Sequence, residues 1–363
     1  MSFDIQSVRH HIDNRITTLL THQQEPTPTN TTSSLMMTAV YQQAQHSSKG
    51  GKRLRALLEI QAATATNPHP TTTWKQHILD LGCAIEIFQT GALVHDDLID
   101  DSNLRRGMPA AHCALAHYDM SQQADHKTGN DLALLLGDYL ATLSALIIAE
   151  EQNSTLGSDL LFTFLMMQKE VEIGQVLDAA NEFISLDDPQ RMADNCFSIF
   201  EKKTASYTTI APLQLGFLMS GIPRQDALYW GKKIGLPLGL AFQIADDLLD
   251  IDSSDTGKPS YKDITSGKRS ILLATALQMG DQSCQERLKQ LYTIRPLTPQ
   301  IINEIATLFM TSGAVDYLHQ RIRFYWEETQ KQLSEFQQYY PLDDAARDDF
   351  ITTMALFIPS VDR

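Results

Sequence analysis

The fold of this chain is decided by two segments of one design: His95-Asp96-Asp97-Leu98-Ile99-Asp100-Asp101 and Gln243-Ile244-Ala245-Asp246-Asp247-Leu248-Leu249-Asp250. Each segment has acidic residues at positions i, i+1 and i+4 behind a largely apolar run. A helix advances about 100° per residue, so these carboxylates would share an arc of about 100° on one face. Because like charges this close repel one another, the pattern is unfavourable unless a cation offsets the repulsion.

Both acid clusters also stand near predicted helix ends. Helix-breaking sequence follows them, Asp101-Ser102-Asn103 after the first and Asp252-Ser253-Ser254-Asp255-Thr256-Gly257 after the second. The helix macrodipole already disfavours negative charge at a C-terminus. One such segment alone is a solvated helix face about as often as it is a metal site. Two of them, each emerging from apolar helix, favour sites for Mg²⁺, which prefers carboxylate oxygens.

Basic residues accompany the acid clusters. They stand in five segments: Gly50-Gly51-Lys52-Arg53-Leu54-Arg55, Asn103-Leu104-Arg105-Arg106-Gly107, Lys202-Lys203-Thr204, Thr256-Gly257-Lys258-Pro259 and Gly267-Lys268-Arg269. Each alone could be an ordinary surface charge. Arginines grip phosphate oxygens through paired hydrogen bonds, and a glycine turn before a helix can cradle an anion. No GxxxxGK[ST] pattern is present, so the glycine turn is not a P-loop. Together these residues predict a site for metal ions and a polyanionic ligand.

The rest of the sequence predicts an all-α protein. Apolar residues recur with helical periodicity, whereas alternating strand patterns are rare. No shift in composition marks a boundary, so we expect one domain over residues 1–363, built around a central helical bundle. The core would span about residues 35–320, with a polar loop at 23–34 and a helical C-terminal tail.

Composition limits the function and the compartment. The net charge of −15, from 29 basic and 44 acidic residues, disfavours nonspecific binding to nucleic acid. The four cysteines are isolated in sequence, which favours a reduced, cytoplasmic setting. We expect no signal peptide at the N-terminus. The sequence has no uncharged apolar run of about 18 residues, so we also expect no integral membrane contact.

The motifs resemble those of the trans-isoprenyl diphosphate synthases, also called polyprenyl synthetases, and in particular those of geranylgeranyl diphosphate synthases. The resemblance covers about residues 35–320, with motifs in the family's order: GGKRLR, LVHDDLIDDSNLRRGMP, LLLGD, GQVLD, KKTASYT, FQIADDLLD, TGKPSYKD and SGKRS. It implies the isoprenoid synthase fold, a helical bundle around a central cavity. It also implies a homodimer that condenses isopentenyl diphosphate with an allylic diphosphate.

The same resemblance implies roles for individual residues. Three Mg²⁺ ions would bind the allylic diphosphate between the two acid clusters. The implied metal-binding residues are Asp96, Asp97, Asp100, Asp246, Asp247 and Asp250, the last two acting through water. The allylic diphosphate would also be bound by Arg105, Lys203, Lys258 and Lys268. Isopentenyl diphosphate would be bound by Lys52, Arg55, Gln89 and Arg106, with Gln89 replacing the histidine of many relatives. The implied catalytic residues are Lys203, Thr204 and Gln243, with Thr204 and Gln243 beside the reacting carbons.

The implied mechanism proceeds by ionisation, condensation and elimination. Metals and arginines neutralise the diphosphate, which leaves an allylic cation behind. The double bond of isopentenyl diphosphate attacks this cation, and a proton is then lost to the departing diphosphate. This chemistry needs no nucleophilic serine or cysteine. We therefore expect structural roles for His95 and His112.

Product length should be governed by the helix that precedes Asp96. Short-chain relatives usually block the product channel with an aromatic residue four or five positions before the first aspartate. Here those positions are Ala92 and Gly91, so we expect an open channel that allows products beyond C15. Phe88 is the next bulky residue on that face and would favour about C20, although Met166, Met167 and Val171 could supply the floor instead.

Four other interpretations share part of the pattern. A class I terpene cyclase would share the metal-triggered ionisation but commonly lacks the second complete acid cluster and the second diphosphate site. Head-to-head coupling enzymes carry different acid patterns. A non-catalytic regulatory subunit usually lacks one acid cluster. A Ca²⁺-binding structural protein would not need the paired arginines, and no EF-hand loop is present. The chain departs from the family at Ser260-Tyr261, where relatives often carry glycine.

Overall fold

The computed structural model describes residues 4–22, 24, 31–67, 71–118, 125–150, 154–251 and 261–358. The helices are α1 (Ile5–His22), α2 (Thr32–Ser47), α3 (Leu54–Thr66), α4 (Thr72–Ile99), α5 (Ala111–Leu115), α6 (His126–Ala149), α7 (Ser154–Asn181), α8 (Pro189–Ile199), a π-helix (Phe200–Ile210), α9 (Ala211–Met219), α10 (Arg224–Leu249), α11 (Lys262–Ser266), α12 (Ile271–Met279), α13 (Gln282–Leu291), α14 (Pro299–Thr311), α15 (Ala314–Phe336) and α16 (Asp344–Ala355). In these described ranges, the strands are limited to β1 (Leu104–Arg105) and β2 (Met108–Pro109), which pair antiparallel. The predicted all-α class is confirmed.

The chain groups into two compact units. The first unit comprises Met1–Leu165 and Leu215–Arg224, and the second comprises Met166–Gln214 and Gln225–Arg363. The first acid cluster belongs to the first unit and the second acid cluster to the second unit. The expectation of one domain stays a prediction.

In the first unit, α4 and α6 pack along one another, while α3 packs on α4 and α5 on α6. Thr71 begins α4 as its N-cap, because its side chain accepts the N–H of Trp74. The buried face of α4 is apolar, and Ile85 and Ile87 on it are fully buried. Burial of this face against α6 fixes the direction in which α4 presents the first acid cluster.

Two helices of the first unit are long and apolar enough to cross a membrane by length and composition alone. In the most apolar stretch of α4, 67% of residues are buried inside the protein, as is usual for a core helix. In α6 the buried share is only 44%. Part of the apolar surface of α6 is therefore exposed, including Leu134, Leu135 and Leu146.

In the second unit, α12 packs against α8, α13, α14 and α15. Ser270 begins α12 as its N-cap, and Leu273, Ala274 and Ala276 are fully buried. The C-terminal tail is helical, as predicted: Phe336 of α15 contacts Trp230 of α10, with ring centroids 5.8 Å apart.

The helix boundaries agree with the sequence pattern at both acid clusters. Helix α4 ends at Ile99, so Asp100 is its C-cap and Asp101 is left-handed, with φ of 50°. Helix α10 ends at Leu249, directly before Asp250. One feature of the second unit was not predicted from the sequence. Between α8 and α9, residues Phe200–Ile210 form a π-helix, a geometry that is rare and often marks functional sites.

Candidate active site

The first acid cluster carries an internal counter-ion. Asp97 is 3% exposed, and its two carboxylate oxygens accept hydrogen bonds from Nε of Arg105 at 3.0 and 3.1 Å. The terminal Nη2 of Arg105 lies 2.5 Å from Oδ1 of Asp97 and 3.4 Å from Oδ2 of Asp96. The turn between β1 and β2 makes this approach possible, because Arg106 and Gly107 both have positive φ, of 52° and 76°.

This ion pair keeps Arg105 charged. Burial alone would lower the pKa of Arg105, but the hydrogen bond that Arg105 donates to Asp97 and the charges of Asp97, Asp96 and Asp100 outweigh it, so the pKa is raised. The arginine that the resemblance assigns to the allylic diphosphate is thus held at the acid cluster by Asp97. Asp97, implied to lie near the metals, has this second role.

A second cationic group lies in the same unit. Nη1 of Arg106 donates to the backbone oxygen of Lys49 at 2.6 Å, which joins the β1–β2 turn to the Gly50-Gly51 loop. Burial lowers the pKa of Arg106, and the positive charges of Arg53, Arg105 and Arg55 lower it further. Cations gathered in this way favour a bound anion.

The other residues implied for isopentenyl diphosphate follow the same loop and helix. Lys52 is exposed and Arg55 is buried, and both flank the start of α3. Gln89 is half-buried on α4. It lies seven residues before Asp96, which places it two turns away on the same face of the helix.

The residues expected to govern product length differ in what surrounds them on α4. Phe88 is 5% exposed and meets the ring of Phe164 edge to face, with centroids 6.0 Å apart. Ala92 is half-buried. A side chain at Gly91 would point into α6, with its Cβ 2.9 Å from the backbone oxygen of Gly137. The missing side chain at Gly91 therefore serves helix packing, and its role in product length stays a prediction.

In the second unit, the π-helix and α10 approach at two glycines of α10. A Cβ at Gly235 would lie 2.8 Å from Cα of Ile210, and one at Gly239 would lie 2.4 Å from Cβ of Ala205. One turn beyond Gly239, the hydroxyl of Thr204 donates to Oε1 of Gln243 at 2.7 Å. Close packing of the two backbones therefore joins two of the residues assigned to the reacting carbons.

Gln243 also forms a hydrogen bond with the second acid cluster. Its Nε2 donates to Oδ1 of Asp247 at 2.8 Å. Asp247 is 7% exposed, and burial followed by the charge of Asp263 raises its pKa to about 8. Burial also raises the pKa of Asp263, which the sequence analysis did not single out. A divalent cation beside these carboxylates would reverse both shifts.

Asp250 and Lys268 lie around the short helix α11. The carboxylate of Asp250 accepts the backbone N–H groups of Lys262 and Asp263 at 2.7 and 3.0 Å. The backbone N–H of Lys268 donates to the oxygen of Asp263 at 2.9 Å. Asp250 thus caps α11, a structural role beside the implied water-mediated metal contact. Tyr261 has a φ of 52°, a conformation that favours glycine, which many relatives carry in this loop. Lys258 lies outside the described residues.

Lys203 has a partner that the sequence analysis missed. Its Nζ lies 2.5 Å from Oδ2 of Asp178 on α7. The two helices touch at Gly174, whose Cβ would lie 2.3 Å from the backbone nitrogen of Lys203. Asp178 ends the GQVLD motif, so its place in that motif was the available signal.

The residues assigned to metal binding belong to two donor sets, one at the end of α4 and one at the end of α10. In the described part of the chain, no group of three or more His, Cys, Asp or Glu side chains is arranged to hold one ion by itself. The oxygen-rich composition of both sets fits Mg²⁺, which is usually held by one or two carboxylates together with water and substrate phosphates. Nε2 of His95 lies 3.1 Å from the backbone oxygen of Leu134 and 3.5 Å from Oδ1 of Asp138. His112 is buried in α5.

Acid clusters beside arginine-bearing turns on an all-α scaffold define a class of enzymes that transfer prenyl groups. A family model described as polyprenyl synthetase matches residues 37–309, and the chain belongs to this family of prenyl diphosphate synthases. It is 28% identical over 273 residues to a short chain isoprenyl diphosphate synthase of Methanothermobacter thermautotrophicus, covering 74% of this chain and 76% of the relative.

Two further comparisons extend this result. A geranylfarnesyl diphosphate synthase of Aeropyrum pernix is 27% identical over 301 residues, covering 78% of this chain and 83% of the relative. A solved geranylgeranyl pyrophosphate synthase from Corynebacterium glutamicum, complexed with isoprenyl diphosphate and magnesium, has a TM-score of 0.80 and 25% identity. That comparison covers 98% of this chain and 99% of the other. The fold is therefore that of the isoprenyl diphosphate synthases.

Proposed function

We propose that this chain condenses isopentenyl diphosphate head to tail with an allylic diphosphate, giving a trans-polyprenyl diphosphate of about C20 or longer. The observation that carries the proposal is the bond from Arg106 to the backbone of Lys49. It brings the glycine loop with Lys52 beside the turn whose Arg105 is bound to the first acid cluster. One unit thus offers cations for two diphosphates, whereas a class I terpene cyclase requires only one such site.

Different residues bind the two substrates in this proposal. Arg105, oriented by Asp97, binds the oxygens of the allylic diphosphate and offsets the charge that develops as the bond to carbon breaks. Lys203 and Lys268 bind the same group, and Lys258 completes the set in this proposal. Lys52, Arg55, Gln89 and Arg106 hold isopentenyl diphosphate so that its double bond faces the allylic carbon.

Gln243 and Thr204 act close to the reacting carbons. Their mutual hydrogen bond, continued to Asp247, fixes the amide of Gln243 in one orientation. A fixed amide dipole stabilises a developing carbocation without reorganising as the charge forms. The proton lost in the last step goes to the departing diphosphate, so no protein base is required.

Magnesium is the cofactor in this proposal. Asp96, Asp100 and Asp246 would hold it, with Asp97, Asp247 and Asp250 in support, and we expect three ions with substrate bound. Bound Mg²⁺ supplies neutralisation of the leaving diphosphate. The raised pKa values of Asp247 and Asp263 support a cation site, because among the described residues the charge of Lys268 does not offset the burial of these acids.

Product analysis tests the function directly. Purified protein is incubated with Mg²⁺, labelled isopentenyl diphosphate and allylic diphosphates of C10, C15 or C20, and the products are dephosphorylated and separated by length. We expect a ladder that ends at about C20 or longer and is lost when EDTA removes the metal. Cyclised hydrocarbons formed without consumption of isopentenyl diphosphate would indicate a terpene cyclase. No product with any primer would indicate a regulatory subunit.

We also propose that the chain forms a homodimer through the exposed apolar face of α6. Leu134, Leu135 and Leu146 are 53%, 60% and 50% exposed, although α6 is apolar enough to favour burial. A second copy that covers this apolar face would remove it from water and so stabilise the dimer. Light scattering during size-exclusion chromatography should give twice the mass of the chain, and Leu135→Glu should give the monomer mass.

A cytoplasmic location completes the proposal. All four cysteines are free thiols in the structure, which supports a reducing compartment. Fractionation of cells that express the chain should recover the activity without detergent.

A further inference from the structure

We infer that Asp13, on the N-terminal helix α1, is a positioning residue for isopentenyl diphosphate, because it holds Arg53 and thereby fixes the Ser48–Arg53 loop. This inference rests on the proposed function of that loop. Neither Asp13 nor Arg53 belongs to the substrate-binding residues assigned above.

Arg53 stands at the point where the loop becomes α3. Its φ is 56°, a left-handed conformation that is unfavourable for a residue with a side chain. Residues in such conformations persist where surrounding contacts determine them. Here the contacts come from the guanidinium group of Arg53, whose side chain is only 4% exposed.

Three acceptors surround that guanidinium group. Nε donates to Oδ1 of Asp13 at 2.7 Å, Nη1 lies 3.4 Å from Oε2 of Glu86, and Nη2 donates to the backbone oxygen of Ser48. The bond to Ser48 closes the loop on itself. The other two tie it to α1 and to α4, which carries the first acid cluster.

The contact with Glu86 also fixes the start of α3. The second oxygen of Glu86 lies 3.3 Å from the backbone N–H of Ala56, one of the unpaired donors in the first helical turn. Glu86 is 1% exposed, so its charge is stabilised by Arg53 on one side and by this N–H on the other. Loop, α3 and α4 therefore share a single buried ion pair.

Asp13 is the acceptor that binds the guanidinium group of Arg53 from α1. An open cavity of about 200 Å³ lies between α1 and part of the loop, and Asp13, Lys49, Gly50 and Arg53 are among its lining residues. The loop thus has space to move on this side. The ion pair with Asp13 opposes that movement, and through it the shift of Lys52 and of the Lys49 oxygen that binds Arg106.

The consequence is specific to one substrate. Displacement of the loop moves the cations assigned to isopentenyl diphosphate, whereas Arg105 and the acid clusters keep their own partners. Small displacements of binding groups reduce catalysis strongly. Loss of the Asp13 charge should therefore raise the KM for isopentenyl diphosphate and leave the KM for the allylic diphosphate nearly unchanged.

The experiment compares Asp13→Asn with a matched control that breaks another ion pair of α1. Asp80 of α4 accepts two hydrogen bonds from Arg15 of α1, at 2.6 and 2.9 Å, and so fastens α1 to α4 without touching the loop. Asp80→Asn removes this second ion pair. Because the Asp13 side chain is 47% exposed, Asp13→Asn should fold, which circular dichroism checks. Asp13→Glu keeps the charge.

We expect Asp13→Asn to raise the KM for isopentenyl diphosphate by about tenfold, with the allylic KM changed by less than about twofold. Asp13→Glu should restore most of the wild-type value, and Asp80→Asn should lower the melting temperature without changing either KM. Equal KM values for Asp13→Asn and the wild type, or equal increases for both substrates, would overturn the inference. Absence of elongation by the wild type would overturn the proposed function and this inference with it.

Discussion

At the end of α4, Asp97 is buried against the guanidinium of Arg105, whereas at the end of α10 the equally buried Asp247 accepts from the neutral amide of Gln243. The surrounding acids differ too. Arg105 reaches Asp96 as well as Asp97, while Asp250 in the second cluster is used to cap α11. The same acidic pattern thus lies in two electrostatic environments.

The two acid clusters offset the repulsion between their carboxylates in different ways. The first cluster has a permanent cation supplied nine residues after Asp96, by Arg105. In the second cluster, burial raises the pKa of Asp247 to about 8, so that Asp247 keeps a proton near neutral pH, and burial also raises the pKa of Asp263. We expect the second cluster to depend more strongly on pH and on added metal.

The largest expected effect concerns what the two clusters share. Asp96→Asn and Asp246→Asn should each lower kcat/KM by about 10²- to 10³-fold, because each removes a carboxylate that would hold the cation offsetting the leaving charge. Initial rates of labelled isopentenyl diphosphate incorporation measure this loss. Asp101→Asn is the matched control, since Asp101 is exposed and asparagine tolerates its left-handed backbone. Wild-type rates for Asp246→Asn would remove the second cluster from the site.

The next effect should appear only in the first cluster. Arg105→Ala leaves Asp97 buried without its cation, and we expect the free energy of unfolding to fall by about 1–3 kcal/mol, allowing for the partly exposed arginine. Urea denaturation measures the change. Adding Asp97→Asn to Arg105→Ala should recover part of the loss, because no charge then remains buried. Additive losses in the double variant would contradict the internal counter-ion.

Much of this contrast could be predicted from the sequence. The acidic spacing predicted helix ends with cation sites, and breaker residues after Asp101 placed the end of α4 within two residues. The family motifs predicted the all-α fold and the proximity of arginines to acids. Local sequence carries such features because they depend on helical periodicity and on residues a few positions apart.

Other features depend on partners distant in sequence. Asp178 meets Lys203 only because Gly174 lets α7 approach the π-helix, and no local pattern predicted that geometry. The close approach of Gly91 to α6 could not be predicted for the same reason, since its neighbour Gly137 lies on a different helix. Sequence pattern indicates which face of a helix is apolar, but not which neighbour occupies it.

A pH-dependent effect should appear only in the second cluster. The pKa of Asp247 in the folded protein, about 8, exceeds the unfolded value of about 4. Its contribution to stability is therefore complete below pH 4 and is lost as pH rises through 8. In metal-free buffer, the unfolding free energy of the wild type should fall by roughly 3–4 kcal/mol more than that of Asp247→Asn between pH 5 and 9. Parallel urea-denaturation curves for the two proteins would show that Asp247 is not held protonated.

The smallest expected effect leaves turnover nearly intact and changes only product length. Four residues before the first aspartate, the first cluster has Ala92 and the second has Phe242, whose ring contacts Phe357 at 5.7 Å. One turn below Ala92, Phe88 meets the buried ring of Phe164. If the product grows along α4, Phe88→Ala should lengthen it by at least one C5 unit, whereas Phe242→Ala should lower stability and leave the length unchanged. Chromatography of dephosphorylated products separates these outcomes. A longer product from Phe242→Ala would place the channel beside the second cluster, and unchanged lengths in both variants would remove Phe88 as the stop.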